Sequence, residues 1–431
     1  MPGAEQPNIV LIVADDLGYN DLGCYGSSVH DTPHIDALAA RGLRFTDFHS
    51  GGSMCSPTRA SLMTGLYPQR FGSQFDGALS AKNSHSGLPL EAETIAEALR
   101  KSGYTTGCFG KWHLGYEDPL LPNQQGFDEF RGLLSGDGDF HTRVDRSGNE
   151  DWWENNKAVK ESGYTTDLLT QHSVEFIKQN RANPFFLYLP HLAIHFPWQG
   201  PSDPPHRVAG SNYHEDKFGV IPEPGNVAPH VKGMVESLDK GVGEIIAALN
   251  ELDLIENTLV VFTSDNGGYV NYGKHFQKIS SNAPYRGQKT EVFEGGHRVP
   301  AIFSWPGRIN PGISEVLTHS NDLFPTFQRI AGLDPAEGDG IDLTFHLLKS
   351  EDLPNRNLYW RTRTHGAVRS GPWKLCATRN KAELYQLTDD PAESNDLADR
   401  YPEKVEELTH AWQAWETDVN ATANSYGLST E

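Results

Sequence analysis

Asn8–Ala14 reads NIVLIVA and runs straight into Asp15-Asp16. Six consecutive apolar residues after Asn8 suit a central strand covered on both faces, as strands of a parallel sheet are. Residues 185–189 (FFLYL) and 259–263 (LVVFT) have the same character. Helical periodicity lies between and around them, at 35–40, 56–64, 94–101 and 166–179. The longest such pattern, 231–252, sets Val235, Leu238, Val242, Ile245 and Ile246 on one face. Strands alternating with helices predict an α/β fold, a large mixed and mostly parallel sheet sandwiched by helices.

The pattern changes near residue 345. Residues 367–376 (AVRSGPWKLC) and 383–387 (ELYQL) read as antiparallel strands joined by turns, and 402–419 as a closing helix with an acidic start. The expected organisation is a large α/β domain over 1–345 and a small α+β subdomain over 346–431. Residues 115–160 and 197–230 are rich in Gly, Pro and charge and lack periodicity. Loops that long usually form a substrate rim or a lid.

Among 431 residues, 36 Lys and Arg face 57 Asp and Glu, a formal charge of −21. That balance excludes a broad nucleic-acid surface but leaves room for one small cationic pocket. No apolar run approaches the roughly 20 residues a membrane span needs. Cys24, Cys55, Cys108 and Cys376 form neither a disulfide framework nor a paired metal motif. Residues 1–6 lack the basic and apolar runs of a secretory leader, so none is expected; a cytoplasmic chain and an exported one trimmed of its leader read alike.

Chemistry concentrates at the strand ends. Asp15-Asp16 closes the first strand, at the edge where open α/β sheets bind ligands. Adjacent carboxylates repel unless a cation neutralises them, and oxygen-only donors favour Ca²⁺ or Mg²⁺. Thr263-Ser264-Asp265-Asn266-Gly267-Gly268 repeats that logic downstream. A helix cap and a β-turn would explain the two segments separately. Pro57 suits a first helical turn, which puts Cys55 at a helix N-terminus that favours an anion, with Arg59 one turn on. A bare Cys55 could then be a low-pKa nucleophile or a buried structural thiol.

Cys55-Ser56-Pro57-Thr58-Arg59 resembles the C-x-P-x-R signature of type I sulfatases, in the alkaline phosphatase superfamily. The continuation Ala60-Ser61-Leu62-Met63-Thr64-Gly65 is similar to the same family. So are Thr32-Pro33-His34-Ile35-Asp36, Gly110-Lys111-Trp112-His113-Leu114-Gly115, the Asp265-Asn266-Gly267-Gly268 turn and residues 284–300. The resemblance spans nearly the whole chain.

The resemblance implies that Cys55 is oxidised to Cα-formylglycine by a formylglycine-generating or anaerobic maturation enzyme. One hydroxyl of the hydrated aldehyde attacks sulfur; the other then loses a proton so that sulfate is expelled and the aldehyde returns. The resemblance implies a calcium ion, ahead of magnesium, bound by Asp15, Asp16, Asp265 and Asn266 with residue 55. It implies that Arg59 orients the diol, that Lys111 and Lys289 neutralise sulfate oxygens, that His113 takes the proton of the second hydroxyl, and that His195 protonates the departing sugar oxygen. His191 is a rival for His195, which the His195-Phe196-Pro197 match selects. Lys111, His195 and Lys289 would also bind substrate. His297, where the family often has an aliphatic residue, could bond a sugar hydroxyl at the rim or fill a gap behind the site.

Residues 137–146 (DGDFHTRVDR) could read neighbouring sugars or be a solvated loop, and Trp152-Trp153 could stack on a sugar or anchor the loop. Arg361, Arg363 and His365 could close one side of the cleft. The implied function is hydrolysis of sulfate esters on galactose- or N-acetylgalactosamine-type units of a sulfated polysaccharide or glycosaminoglycan, in the periplasm or outside the cell. A phosphate or phosphonate ester hydrolase of the same superfamily, and an inactive glycan-binding relative, are the alternatives.

Overall fold

The computed structural model describes residues 6–218, 226–273, 275–378 and 381–430. Residues 1–5, and 219–225 of the second expected loop, lie outside the described residues.

A ten-stranded sheet forms the centre. Its order is β13 (Gly312–Ser314), β2 (Leu43–Phe45), β12 (Ala301–Ser304), β9 (Thr258–Ser264), β1 (Asn8–Ala14), β8 (Phe185–Pro190), β4 (Thr105–Lys111), β5 (Glu129–Leu133), β6 (Trp153–Glu154) and β7 (Lys157–Ala158). The run β9-β1-β8-β4-β5 is parallel throughout. β1 sits between β8 and β9 with Val10 opposite Leu187 and Val260.

Alternation along β1 sorts the core into two layers. Ile9, Leu11 and Val13 face α2 (Cys55–Thr64), α3 (Ile95–Lys101) and α7 (Leu323–Ile330), packing with Ala60, Met63, Leu99 and Phe327. Val10, Ile12 and Ala14 face α1 (Pro33–Ala40), α4 (Thr165–Gln179) and α5 (Ala228–Glu251), packing with Leu38, Leu169, Leu238 and Ile245. Ile9 through Ala14 are fully buried. Each large aliphatic side chain so buried contributes about 1.5–3 kcal/mol. Thr94 starts α3 with a capping box shared with Glu97, which satisfies two backbone donors.

β4 was not evident in the sequence because glycines interrupt it. A Cβ on Gly110 would lie 1.9 Å from the Pro190 carbonyl oxygen, so glycine is what lets β4 close on β8. That approach delivers Lys111 to the sheet edge.

The C-terminal region forms a four-stranded antiparallel sheet: β15 (Asn357–Arg361), β16 (His365–Ser370), β17 (Trp373–Thr378) and β18 (Ala382–Gln386). The 367–376 segment is divided at Gly371, whose φ of 55° makes the turn between β16 and β17. α9 (Pro402–Ser425) extends beyond the expected 419 and packs Trp415 and Val419 against Tyr67 of the large domain. The expected division after 345 falls inside α8 (Thr344–Lys349). We propose the boundary in the irregular stretch 351–356, beyond the Ser350 cap, which keeps that helix whole.

Candidate active site

Four neighbouring parallel strands end at one edge. β1 releases Asp15-Asp16, β9 releases Asp265-Asn266, β4 ends in Lys111 with His113 beyond it, and β8 leads to His195. This is the edge where a sheet of this kind gathers its ligand groups.

α2 brings Cys55 to the same place. All ten of its residues are buried. Gly52 and the Thr58 hydroxyl bond reciprocally at 3.0 and 3.1 Å, and Ser56 Oγ accepts from the Leu79 N–H, fixing the entry to the helix. Gly65 ends it with φ 70°. Cys55 Sγ then lies 3.6 Å from Asp15 Oδ1 and 3.4 Å from Lys289 Nζ. Burial first, and then Asp15, push the thiol up to about 11. The reading of Cys55 as a low-pKa thiol nucleophile is therefore corrected: the helix N-terminus and nearby lysines do not outweigh burial, and the thiol is protonated at neutral pH.

Asp15, Asp16 and Asp265 each bring a carboxylate oxygen within 4.8 Å of the others. Burial, the largest cause, raises Asp15 and Asp265 above the usual carboxylate range. Three cations answer them. Lys111 Nζ is 2.5 Å from Asp15 Oδ2, and Lys289 Nζ is 2.6 Å from Asp16 Oδ1. Arg59 Nη2 is 2.8 Å from Asp265 Oδ2 and 3.4 Å from Asp15 Oδ2. Arg59 Nη1 donates to the Lys111 carbonyl. Arg59 thus braces two carboxylates and the end of β4, while its Nε stays buried without a hydrogen-bond partner.

The donor set fits a hard divalent cation. Asn266 Nδ2 donates to Asp16 Oδ1 at 2.8 Å, while Asn266 Oδ1 is buried without a hydrogen-bond partner. Three carboxylates and an orphaned amide oxygen in one buried cluster are an all-oxygen set, the kind Ca²⁺ and Mg²⁺ prefer. Asp16 has φ 61°, an αL conformation that costs of order 1–3 kcal/mol outside glycine and clusters at functional sites.

Above this buried cluster lies a cavity of about 290 Å³ lined by Cys55, His113, His195 and Lys289. His113 Nε2 lies 3.1 Å from the Leu79 carbonyl, which requires the N–H there and leaves Nδ1 as a buried acceptor without a partner. His195 Nδ1 donates to the Phe196 carbonyl at 2.7 Å, leaving Nε2 free, 3.9 Å from Asp16 Oδ2. Burial, then the neighbouring lysines, hold both rings well below the ordinary histidine range, hence neutral. His191 is fully buried and does not line the cavity.

His297 does not reach the rim. It is fully buried, stacks on Trp360 with centroids 3.8 Å apart, and bonds His49 Nδ1 at 2.9 Å through its own Nδ1. Its ring is enclosed by the C-terminal sheet, so the expected sugar contact is corrected to a packing role. Trp152 is likewise 3% exposed, with Nε1 bonded to Glu161, and acts as an anchor. The 137–146 segment is not a solvated loop: Asp139 is buried and accepts from the backbone N–H groups of His141, Thr142, His206 and Arg207. Arg361 is paired with Asp76, and neither it nor Arg363 or His365 lines this cavity. The sequence marked the two long loops as a rim, and Tyr116, Ser135, Asp137, Arg146, His214 and Lys217 from them do line the cavity. Asp137 and Arg146 bound the charged 137–146 segment marked in the sequence, whereas no local signal singled out Tyr116, Ser135, His214 or Lys217.

Comparison with known proteins gives the family. A family model described as Sulfatase matches residues 7–333. Human arylsulfatase A is 35% identical over 425 residues, covering 90% of this chain and 78% of its own. The N-acetylgalactosamine-6-O-sulfatase of Bacteroides thetaiotaomicron is 27% identical, covering 96% and 94%. The crystal structure of Ps i-CgsB in complex with k-i-k-neocarrahexaose superposes with a TM-score of 0.83 at 32% identity, covering 95% of this chain and 93% of that one. A family match over three quarters of the chain, together with full-length likeness in sequence and fold, makes this protein a member of the sulfatase family and a hydrolase of sulfate esters.

Proposed function

We propose that the protein removes sulfate from carbohydrate, on galactose or N-acetylgalactosamine units of a sulfated polysaccharide or glycosaminoglycan, using a Cα-formylglycine made from Cys55 and a calcium ion. The observation that carries the chemistry is Cys55 at the floor of the cavity, between Asp15 at 3.6 Å and Lys289 at 3.4 Å. The carbohydrate class is supported by the N-acetylgalactosamine sulfatase and neocarrahexaose-bound relatives and by the polar rim. Such polymers are met outside the cytoplasm, so the periplasm or the exterior is the proposed compartment.

A hydrated formylglycine would supply a nucleophilic hydroxyl and a second hydroxyl whose deprotonation allows sulfate to leave, which neither Cys nor Ser can do. A calcium ion held by Asp15, Asp16, Asp265 and Asn266 would supply Lewis-acid polarisation. The chain's own groups do the rest. Lys111 and Lys289, already aimed at the carboxylates, balance charge on the sulfate oxygens. Arg59 keeps Asp15 and Asp265 at fixed spacing. His113 Nδ1, held as an acceptor by the Leu79 carbonyl, takes the proton of the second hydroxyl. His195 Nε2 faces the leaving oxygen. It must gain a proton before giving one, and the negative sulfate ester offsets the lysine charges that oppose this.

The test is a sulfate-release screen of defined sulfated mono- and oligosaccharides, using enzyme of measured formylglycine content. Release from galactose or N-acetylgalactosamine sulfates, absent in Cys55→Ala, is expected. A clear preference for the phosphate ester of the same alcohol, or glycan binding with no release, would overturn the proposal.

A further inference from the structure

The wall of the cavity beyond His195 carries positive charge that the desulfation chemistry does not use. Phe196 packs beside His195 with ring centroids 4.1 Å apart and the rings tilted by 41°. Two cations share its ring: Arg146 Cζ lies 5.2 Å and Lys217 Nζ 5.6 Å from the centroid. Lys217 is wrapped by two further rings, Phe218 at 5.2 Å and Tyr272 at 5.0 Å, and donates to the Tyr272 hydroxyl at 2.9 Å. Among the described residues no carboxylate lies within ion-pair distance of it. Arg146 pairs with Asp137 at 3.0 Å, but Asp137 also pairs with the fully buried Arg207 at 2.9 Å. Asp145 lines the same wall, with its carboxylate occupied by the N–H groups of Ser147 and Asn149 and by Asn149 Nδ2.

Three cations, Arg146, Arg207 and Lys217, thus face two carboxylates, Asp137 and Asp145, and only the two arginines are paired, in a chain whose formal charge is −21. Like charges held against one ring repel, and cation–π contact offsets only part of that. An oxyanion between Arg146 and Lys217 would restore the balance, and both side chains open to the cavity that holds Cys55. A sulfate ester seated at Cys55 would share this cavity with Arg146 and Lys217.

We propose that Arg146 and Lys217 form a subsite for a second sulfate group on the same sugar chain, so that the enzyme selects multiply sulfated carbohydrate. The inference rests on the carbohydrate-sulfatase reading and adds to it the charge density of the substrate. Lys217 is the more diagnostic residue, because Arg146 also supports the buried Asp137.

The experiment compares kcat/KM of the wild type, Lys217→Ala and Lys217→Arg, all of matched formylglycine content. Substrates are galactose-containing disaccharides with one sulfate or two, alongside 4-nitrophenyl sulfate. The expected result is a wild-type preference for the doubly sulfated sugar of about tenfold, the usual weight of one charge-assisted contact. That preference disappears in Lys217→Ala, chiefly through KM, and returns in Lys217→Arg. Equal use of both sugars by the wild type, an unchanged ratio in Lys217→Ala, or turnover of the aryl sulfate with neither sugar would overturn the subsite. Failure to release sulfate from any of the three would instead overturn the underlying sulfatase reading.

Discussion

Two buried charge clusters in this molecule have the same formal make-up and opposite fates. At the sheet edge Asp15, Asp16 and Asp265 face Arg59, Lys111 and Lys289. Beneath the C-terminal sheet Asp47, Glu294 and Glu393 face Arg298, Arg369 and Lys374. Each also holds a group with metal-ligand geometry, the second being His49, Glu294 and His297. In the second cluster the place a metal would take is filled: Lys374 Nζ contacts Glu294 at 2.9 Å, Glu393 at 2.9 Å and His297 Nε2 at 3.1 Å. None of those residues lines the cavity. The first cluster keeps an unpartnered Asn266 oxygen and opens on Cys55. Proximity of ligand-type side chains therefore identifies a site only when an unsatisfied acceptor oxygen and an opening accompany it. The second cluster instead ties the C-terminal sheet to the large domain.

The sharpest way to break this contrast is at Cys55. Cys55→Ser should lower sulfate release by about four orders of magnitude or more, as loss of a covalent nucleophile does, with little change in melting temperature. Multiple turnover near the wild-type rate would contradict it. Asp265→Ala, or exhaustive chelation, should cost roughly three orders of magnitude, the several kcal/mol a Lewis-acid cation supplies. Rates unchanged in metal-free protein would remove the proposed shell. His113→Ala should lower kcat by about 10²–10⁴-fold, the usual weight of a positioned base. A normal rate would take His113 off the proton path.

Lys374→Met probes the other side of the comparison. Breaking a buried ion pair should destabilise the fold by about 3–5 kcal/mol, read by denaturant unfolding, while kcat of the folded fraction stays within about twofold. A large loss of kcat without loss of stability would mean that the second cluster takes part in the chemistry. Acid sharpens the same point. Burial opposes ionisation of Asp47 and Glu294, but Arg369 and Lys374 outweigh it and hold both below the ordinary carboxylate range. Their stabilisation is complete above the unfolded-state values near 4 and is lost as pH falls below them. The denaturant midpoint of Asp47→Asn should therefore fall less between pH 5 and 3 than that of the wild type.

Much of the scaffold was readable because its signals are local. NIVLIVA declares a strand covered on both faces, and the carboxylates at the ends of β1 and β9 meet because parallel neighbours end at one edge. Cys55 and Arg59 stood out through a resemblance carried by a short motif. What stayed hidden depends on long-range packing. His297 lies in a motif shared with the family, yet its neighbours are Trp360 and His49, remote in sequence. Trp152 and the 137–146 segment are drawn inward by Glu161 and Asp139, in loops without periodicity. The pairing of Arg146 with Lys217 on Phe196 joins both of those loops, and no spacing rule connects them.

The central claim is that an aldehyde at position 55 performs the reaction. The most direct measurement prepares the enzyme at several degrees of maturation, quantifies formylglycine in the Cys55 peptide by mass spectrometry, and plots it against initial sulfate release. A straight line through the origin is predicted. A preparation that retains the thiol and hydrolyses at the full rate would contradict it.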